Sequence, residues 1–376
     1  MRIIVLGAGL VGGPIAIDLS KDKHFEVSVC DISAQALERL SENYNIDTVQ
    51  NDLSAADNIK RVIKNFDLVV SAVPGCMGFK TLKTIIESGK NVVDIAFFPE
   101  EPFLLDDLAK ETGVTAIVDC GVAPGMSNIL TAYAADKLDE VDTAIIYVGG
   151  LPQIRQWPYE YKAVFSPVDV IEEYTRPAHY IENGHLVVRP ALSDRELINF
   201  RGIGTLEAFN SDGLRTMAKT IKAKNLKEKT LRYPGHAEKI SILRHTGFFS
   251  KEKIEIDGHW ISPLEFTAKL LFPKWKLMPG EEDITVMQIK VDGFKDKKEV
   301  SYTYDLLDRY DKSTGIHSMA RTTGYTAAMA ARMLYEKLYK KKGISPPEYI
   351  GEHPECVNFI LNGLRDRGVN YSETVG

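Results

Sequence analysis

The apolar residues of the first 125 positions fall into two rhythms. Short unbroken runs at 2–6, 26–30, 48–51, 68–72, 91–95 and 115–119 are strand-sized. Between them, at 12–20, 34–43, 55–65, 78–88 and 102–112, the spacing is helical, as with Leu37 and Leu40 or with Ile59, Val62, Ile63 and Phe66. Strand and helix alternate, which predicts a mostly parallel sheet with helices on both faces. From about residue 126 the texture changes. A helix over 127–138 leads to a strand over 143–148, then to aromatic, turn-rich segments holding Trp157, Pro158, Tyr159, Tyr161 and the run from Glu172 to Pro177. Short alternating strands follow, for example at 185–188 and 300–306, and predict an α+β domain with an antiparallel sheet. Near His317 helical spacing returns, over 326–340 and 354–365. The pattern predicts an α/β domain over 1–125, an α+β insertion over 126–316, and helices over 317–376 that pack back on the first domain.

The first helix is entered through Gly7-Ala8-Gly9-Leu10-Val11-Gly12, and the second strand ends at Asp31, nineteen residues beyond Gly12. Strand, glycine turn, helix, strand and acid in that order make a dinucleotide-binding unit. Gly7 permits the tight turn, Gly9 lets backbone approach a pyrophosphate, and Gly12 lets the helix pack close to the sheet. Leu10 and Val11 complete the loop at a helix N-terminus, whose N–H groups and partial positive charge suit phosphates. A carboxylate at Asp31 accepts both ribose hydroxyls and repels a 2′-phosphate. Ile32 and Ser33 beside it bring no cation, so NAD is expected over NADP. Ligands of such sheets sit at the carboxyl ends of the strands. Asp52, Val73, Pro74 and Ala96 fall at those ends and complete the expected cofactor site.

Composition narrows the partners. A net charge of −6 leaves no electrostatic footprint for nucleic acid, and the dense basic run Lys340-Lys341-Lys342 is expected at a helix C-terminus, where cations suit the dipole. No apolar run approaches the roughly twenty residues that span a bilayer. With no signal peptide visible, a cytoplasmic protein is expected. Cys30, Cys76, Cys120 and Cys356 lack metal-ligand spacing, so reduced thiols and no metal are expected.

Three polar segments could carry chemistry. From Asp119 to Asn128, Pro124 and Gly125 set a turn, Ser127 or Asn128 caps a helix, and the free N–H groups of that helix are expected to face substrate. Asn210 to Thr216 and Thr230 to His236 are polar turns of the middle domain. Arg232 offers a planar fork for a carboxylate, and His236 an imidazole of the kind that transfers protons near neutral pH.

Taken together, GAGLVG, AVPGCMGF, DCGVAPGMSN, YVGGLP, EEYTRPA, SDGLRT, TLRYPGH and SMARTTGYTAA resemble the saccharopine dehydrogenase-like oxidoreductases, from residue 1 to about 350. Within them the nearest likeness is to the L-lysine 6-dehydrogenases. The resemblance implies a Rossmann domain with an inserted α+β domain for substrate binding and dimerisation, in a homodimer. It implies NAD-dependent oxidation at a C–N bond of an amino acid. For lysine, the ε-amine would be oxidatively deaminated to allysine, which cyclises to piperideine-6-carboxylate. Thr230 and Arg232 match the family's substrate-binding TLRY motif, and Asn210, Ser211 and Asp212 match a polar turn lining the same cleft, with Gly125 at the helix start. Arg232 is expected to clamp a carboxylate. His236 is the first candidate for general base, with Asp94 and Asp119 behind it. Saccharopine or carboxynorspermidine dehydrogenase chemistry stays open, as does an NAD-binding sensor without turnover.

Overall fold

The structure is a computed structural model and describes residues 1–376 apart from Asn45, Val164, Phe165, Ser166 and Pro279. The chain forms two compact units. Unit 1 comprises Met1–Asp139, Lys219–Ile221 and Met319–Tyr371; unit 2 comprises Glu140–Ala218, Lys222–Ser318 and Ser372–Gly376.

Unit 1 opens with β1 (Arg2–Leu6), α1 (Gly12–Ser20), β2 (Glu26–Asp31), α2 (Ala34–Tyr44), β3 (Asp47–Gln50), α3 (Ala56–Ile63), β4 (Leu68–Ser71), α4 (Gly75–Glu87), β5 (Asn91–Asp94), α5 (Asp106–Glu111), β6 (Thr115–Ile117) and α6 (Met126–Ala135). The strands pair in parallel in the order β6-β5-β4-β1-β2-β3. Ile3 to Leu6 are fully buried, as expected of a parallel strand covered on both faces. The expected helix over 102–112 divides into a 3-10 turn, Pro102–Leu105, followed by α5.

Unit 2 is built on β7 (Glu140–Pro152), α7 (Pro167–Thr175), β8 (Ala178–Glu182), β9 (His185–Arg189), β10 (Glu196–Phe200), β11 (Gly204–Asn210), the short α8 (Met217–Thr220), β12 (Asn225–Arg232), α9 (His236–Thr246), the hairpin β13 (Ile254–Ile256) and β14 (His259–Ile261), α10 (Pro263–Trp275), β15 (Asp283–Lys295) and β16 (Lys298–Arg309). Its large sheet runs β10-β11-β12-β7-β15-β16, and β8 joins β12 and β9. The expected antiparallel sheet is in fact mixed, because β12 lies parallel to β7. Side chains alternate along β12. Leu231 enters one apolar cluster with Tyr147, Leu206 and Ile284. The other face bears Thr230 and Arg232. There Phe209, paired with Thr230, joins Tyr174 of α7, Ala237 of α9 and Trp275 of α10 in a second cluster.

The chain then supplies α11 (Ser318–Tyr335), β17 (Gly343–Ser345), α12 (Pro347–Gly351), α13 (Pro354–Asp366) and β18 (Tyr371–Val375), the last continuing the large sheet of unit 2 beyond β16. β17 pairs in parallel with β6 as the seventh strand of the unit 1 sheet. α11 begins and ends earlier than the spacing predicts. Lys337 takes a left-handed φ of 58°, and the Leu338 N–H turns back to the Met333 carbonyl at 3.1 Å, so the helix stops at Tyr335. The basic run therefore follows the helix instead of ending it, and Lys341 Nζ lies 3.4 Å from the Tyr349 ring centroid. Within unit 1, Asp18 of α1 is buried and ties three segments together. Its Oδ2 accepts from Arg332 Nη1 at 2.7 Å and its Oδ1 from Arg367 Nε at 2.7 Å. These bonds hold the helix that follows the glycine turn.

Candidate active site

In unit 1 the residues expected to hold a cofactor gather where β1 to β5 end. Gly7 has φ 106°, and a Cβ there would stand 2.5 Å from the Ala72 carbonyl oxygen. A Cβ on Gly12 would stand 2.1 Å from the Gly7 oxygen, so helix and turn can meet this closely only with glycine. At Gly9 a Cβ would have nothing within 4 Å, which leaves the backbone approachable at that point. Leu10 is exposed and Val11 half-buried beside it. Asp31 closes the turn from the side: its Oδ2 accepts from Ala8 N–H at 2.6 Å and its Oδ1 from Ser33 N–H at 2.8 Å. Asp52 follows β3, exposed, and its bonds from Ser54 hold it below the usual carboxylate range. Val73 is buried, Pro74 caps α4, and Ala96 lies under Gly78, whose Cβ would stand 2.7 Å from that of Ala96. A glycine cradle open at Gly9, beside a carboxylate at the end of β2, fits a dinucleotide.

Asp94 and Asp119 also lie in unit 1, both buried. Asp94 Oδ2 accepts from Ala96 N–H at 3.1 Å, and Asp119 adopts a left-handed φ of 52°. Cys120 between them is pushed far above the usual thiol range, by burial first and then by Asp94 and Asp119. Gly125, at φ 139°, starts α6. Here the loop differs from expectation. Gly125 N–H goes to Asn128 Oδ1 at 3.0 Å, Met126 N–H to the Gly121 carbonyl and Ser127 N–H to the Val122 carbonyl, both at 2.9 Å. Three donors that were expected to be free are thus taken up, two by carbonyls of the loop that folds back over the helix start and one by the Asn128 side chain.

In unit 2, Arg232 and His236 meet through a residue that the sequence reading left without a role. Arg232 donates through Nη2 to Glu173 Oε2 at 2.7 Å, through Nη1 to the Leu231 carbonyl at 2.9 Å, and through Nε to the Tyr174 hydroxyl at 3.3 Å. Its guanidinium carbon sits 4.6 Å from the Tyr161 ring centroid. The Tyr174 hydroxyl lies 2.9 Å from His236 Nε2, and His236 Nδ1 lies 2.8 Å from the Tyr159 carbonyl. A carbonyl only accepts, so Nδ1 carries the proton and Nε2 accepts from Tyr174. The result is a directed chain from Arg232 through Tyr174 and His236 to Tyr159. His236 is fully buried against Tyr161 and Tyr174, and its pKa falls from the usual 6.5 to about 3, by burial first and then by the charge of Arg232. Burial pushes Glu173 above its ordinary range, against the pull of Arg232, and pushes Tyr174 up to about 12.

The remaining predicted residues form three further groups. Thr230 donates to Ser211 Oγ at 2.8 Å. Asn210, buried, donates through Nδ2 to Tyr180, Ser193 and Asp194. Asp212 Oδ1 lies 3.0 Å from His179 Nδ1. Glu173, Tyr174 and His179 carried no local signal beyond their place in and after the EEYTRPA segment. Among the described residues no group of three or more His, Cys, Asp and Glu could hold a metal ion, and no helix is long and apolar enough to cross a membrane.

The model of the saccharopine dehydrogenase NADP binding domain matches residues 3–117, and that of the saccharopine dehydrogenase C-terminal domain matches residues 121–369. The chain is 26% identical to the mitochondrial alpha-aminoadipic semialdehyde synthase of Mus musculus, over 92% of this chain and 45% of that protein. It spans about half the length of that relative and of the rat and bovine proteins of the same name. It is 21% identical to the carboxyaminopropylagmatine dehydrogenase of a Synechocystis strain, over 100% of this chain and 98% of that one. Among solved structures, the saccharopine dehydrogenase (L-Glu forming) of Saccharomyces cerevisiae shares the fold, with a TM-score of 0.82 and 19% identity over 100% of this chain and 99% of that one.

Proposed function

The chain belongs to the saccharopine dehydrogenase family, and from that premise we propose that it is an NAD(P)-dependent oxidoreductase acting on a C–N bond of an amino acid. The observation that carries this reading is the family match over both units, joined to the open glycine cradle at Gly9. The finer reading is NAD-dependent oxidative deamination of the ε-amine of L-lysine, in a homodimer.

Unit 1 would hold the dinucleotide through the Gly7–Gly12 turn, with Asp31, Asp52, Val73, Pro74 and Ala96 around it. Bound there, the oxidised nicotinamide supplies a hydride acceptor. The protein's own residues must bind the amino acid and remove a proton from its nitrogen, because an ammonium has no lone pair with which to form a C=N bond. Arg232 is the carboxylate clamp of this reading, backed by Glu173 and Tyr174. Three of its five N–H donors already go to Glu173, Leu231 and Tyr174, which leaves room for one carboxylate at most. Any further carboxylate of a substrate would have to be held by other groups. Arg232→Lys keeps the charge but loses the fork, and is expected to raise KM for the amino acid roughly tenfold while NAD binding is retained. An unaltered KM counts against the clamp.

His236 serves here as a positioning residue. A group that protonates near pH 3, with both ring nitrogens engaged, is a poor proton acceptor at neutral pH. Asp31 sets the cofactor preference. Asp31→Asn keeps an acceptor for the Ala8 N–H but removes the charge that repels a 2′-phosphate. The ratio of kcat/KM for NAD over NADP is expected to fall by roughly 10- to 100-fold, in line with about 1.5–3 kcal/mol for a hydrogen bond to a charged group. No change in that ratio would remove Asp31 from the assignment.

The deciding assay follows NADH formation from L-lysine and, in parallel, from saccharopine. Turnover of lysine with stoichiometric ammonia supports the lysine reading. Turnover of saccharopine alone moves the protein to that substrate. Tight NAD binding with neither substrate oxidised removes both.

A further inference from the structure

β12 changes partners partway along its length. β11 pairs with it as far as Asn210 opposite Lys229, and β8 takes over at Ile181 opposite Leu226. The turn leaving β11 and the first residues of β8 meet at this seam. His179 stands two residues before Ile181 and so shares its face, which is the face of Leu226, Glu228, Thr230 and Arg232. Its Nδ1 lies 3.0 Å from Asp212 Oδ1, with side-chain exposures of 44% and 20%. A carboxylate only accepts, so Nδ1 is the donor, and in the neutral ring Nε2 keeps its lone pair. The arrangement is the reverse of that at His236, which is fully buried with both nitrogens bonded.

We propose that His179, oriented by Asp212, is the proton acceptor for the substrate amine. The inference rests on the reading of the chain as an amine oxidoreductase. In the step itself the ammonium N–H bond breaks, nitrogen keeps the electron pair, and the proton passes to Nε2. The resulting imidazolium is half-exposed and returns the proton to water, so charge and atoms balance within each turnover. Asp212 holds the ring in one tautomer and offsets the positive charge while it lasts. Charged groups around the seam include Glu228 on the shared face of β12, Arg215 in the turn that holds Asp212, and Glu182 of β8 with its partners Lys227 of β12 and Arg189 of β9.

The test compares wild type, His179→Gln and Asp212→Asn, with NAD bound, on L-lysine and saccharopine. His179→Gln is expected to lower kcat about 100-fold or more, with the amino-acid KM little changed and the acidic limb of the pH–rate profile lost. Asp212→Asn is expected to lower kcat about tenfold and to displace that limb. Unchanged kcat and an unchanged limb in His179→Gln would overturn the proposal. A second readout needs no turnover. In protein labelled with carbon-13 histidine, the ring signal missing from His179→Gln is followed by NMR against pH, with and without lysine or saccharopine. A titration that moves on amine binding supports His179 even if neither amine is oxidised, an outcome that defeats the proposed substrates alone. A titration that both amines leave in place overturns the assignment.

Discussion

Arg232→Met is expected to destabilise the protein by about 3–5 kcal/mol, because it leaves the Glu173 carboxyl without its cation beside an aromatic cluster. The loss has two sources. The guanidinium stacks on Tyr161, and its Nε and Nη2 hold Tyr174 and Glu173 in place. A methionine of similar length restores the apolar contact but none of these bonds. Glu173→Met in the same chain removes the stranded carboxyl, and a hydrophobic pair often packs as well as the ion pair it replaces. The double variant should therefore recover most of the stability, with a coupling energy of roughly 2 kcal/mol or more in a double-mutant cycle of urea midpoints. Additive single losses would show that the two side chains do not support one another. Activity separates the second issue: the double variant should fold and bind dinucleotide, yet fail to use the amino acid if Arg232 is the clamp.

Acid should destabilise the protein through His236. Its pKa in the folded protein lies below the unfolded value, so its contribution is fully present above about pH 6.5 and is lost as pH falls from there towards 3. The displacement from 6.5 to about 3, at about 1.4 kcal/mol per pH unit, amounts to on the order of 5 kcal/mol. Glu173 acts in the opposite sense. Its folded value is raised, so its contribution is present at low pH and is lost as pH rises through that value. His236→Gln removes the first effect and leaves the second. Thermal unfolding of wild type and variant from pH 7 to pH 4 should therefore give a clearly flatter profile for the variant. Parallel profiles would mean that His236 does not carry the acid sensitivity.

The nucleotide-binding half of the fold was legible because its signals are local. Central parallel strands read as unbroken apolar runs, and the glycine turn at Gly7 to Gly12 marks the first crossover. β17 was not legible, since Gly343-Ile344-Ser345 is too short for any period to show. In unit 2 the residue types were readable but their company was not. His236 was singled out for its chemistry, yet it is buried against Tyr161 and Tyr174, which in turn pack on Trp275 from a third stretch of chain. Glu173 and Arg232 are 59 residues apart, and His179 and Asp212 are 33 apart. Pairs of this kind leave no trace in a local pattern, so the sequence pointed to Arg232 and Asp212 without their partners.

The order in which the chain is made bears on unit 1 in particular. Asp18 waits for Arg332, 314 residues later, and for Arg367, 349 residues later. At roughly 5–20 residues per second, the first wait lasts roughly 15 to 60 seconds. From its own synthesis until β17 is made, β6 is an open sheet edge, of the kind that invites pairing with other chains. Nearly all of unit 2 leaves the ribosome before Met319–Tyr371. The half that binds the nucleotide is thus the first begun and among the last closed. A chain truncated before residue 343 would have a parallel sheet that still lacks its final strand.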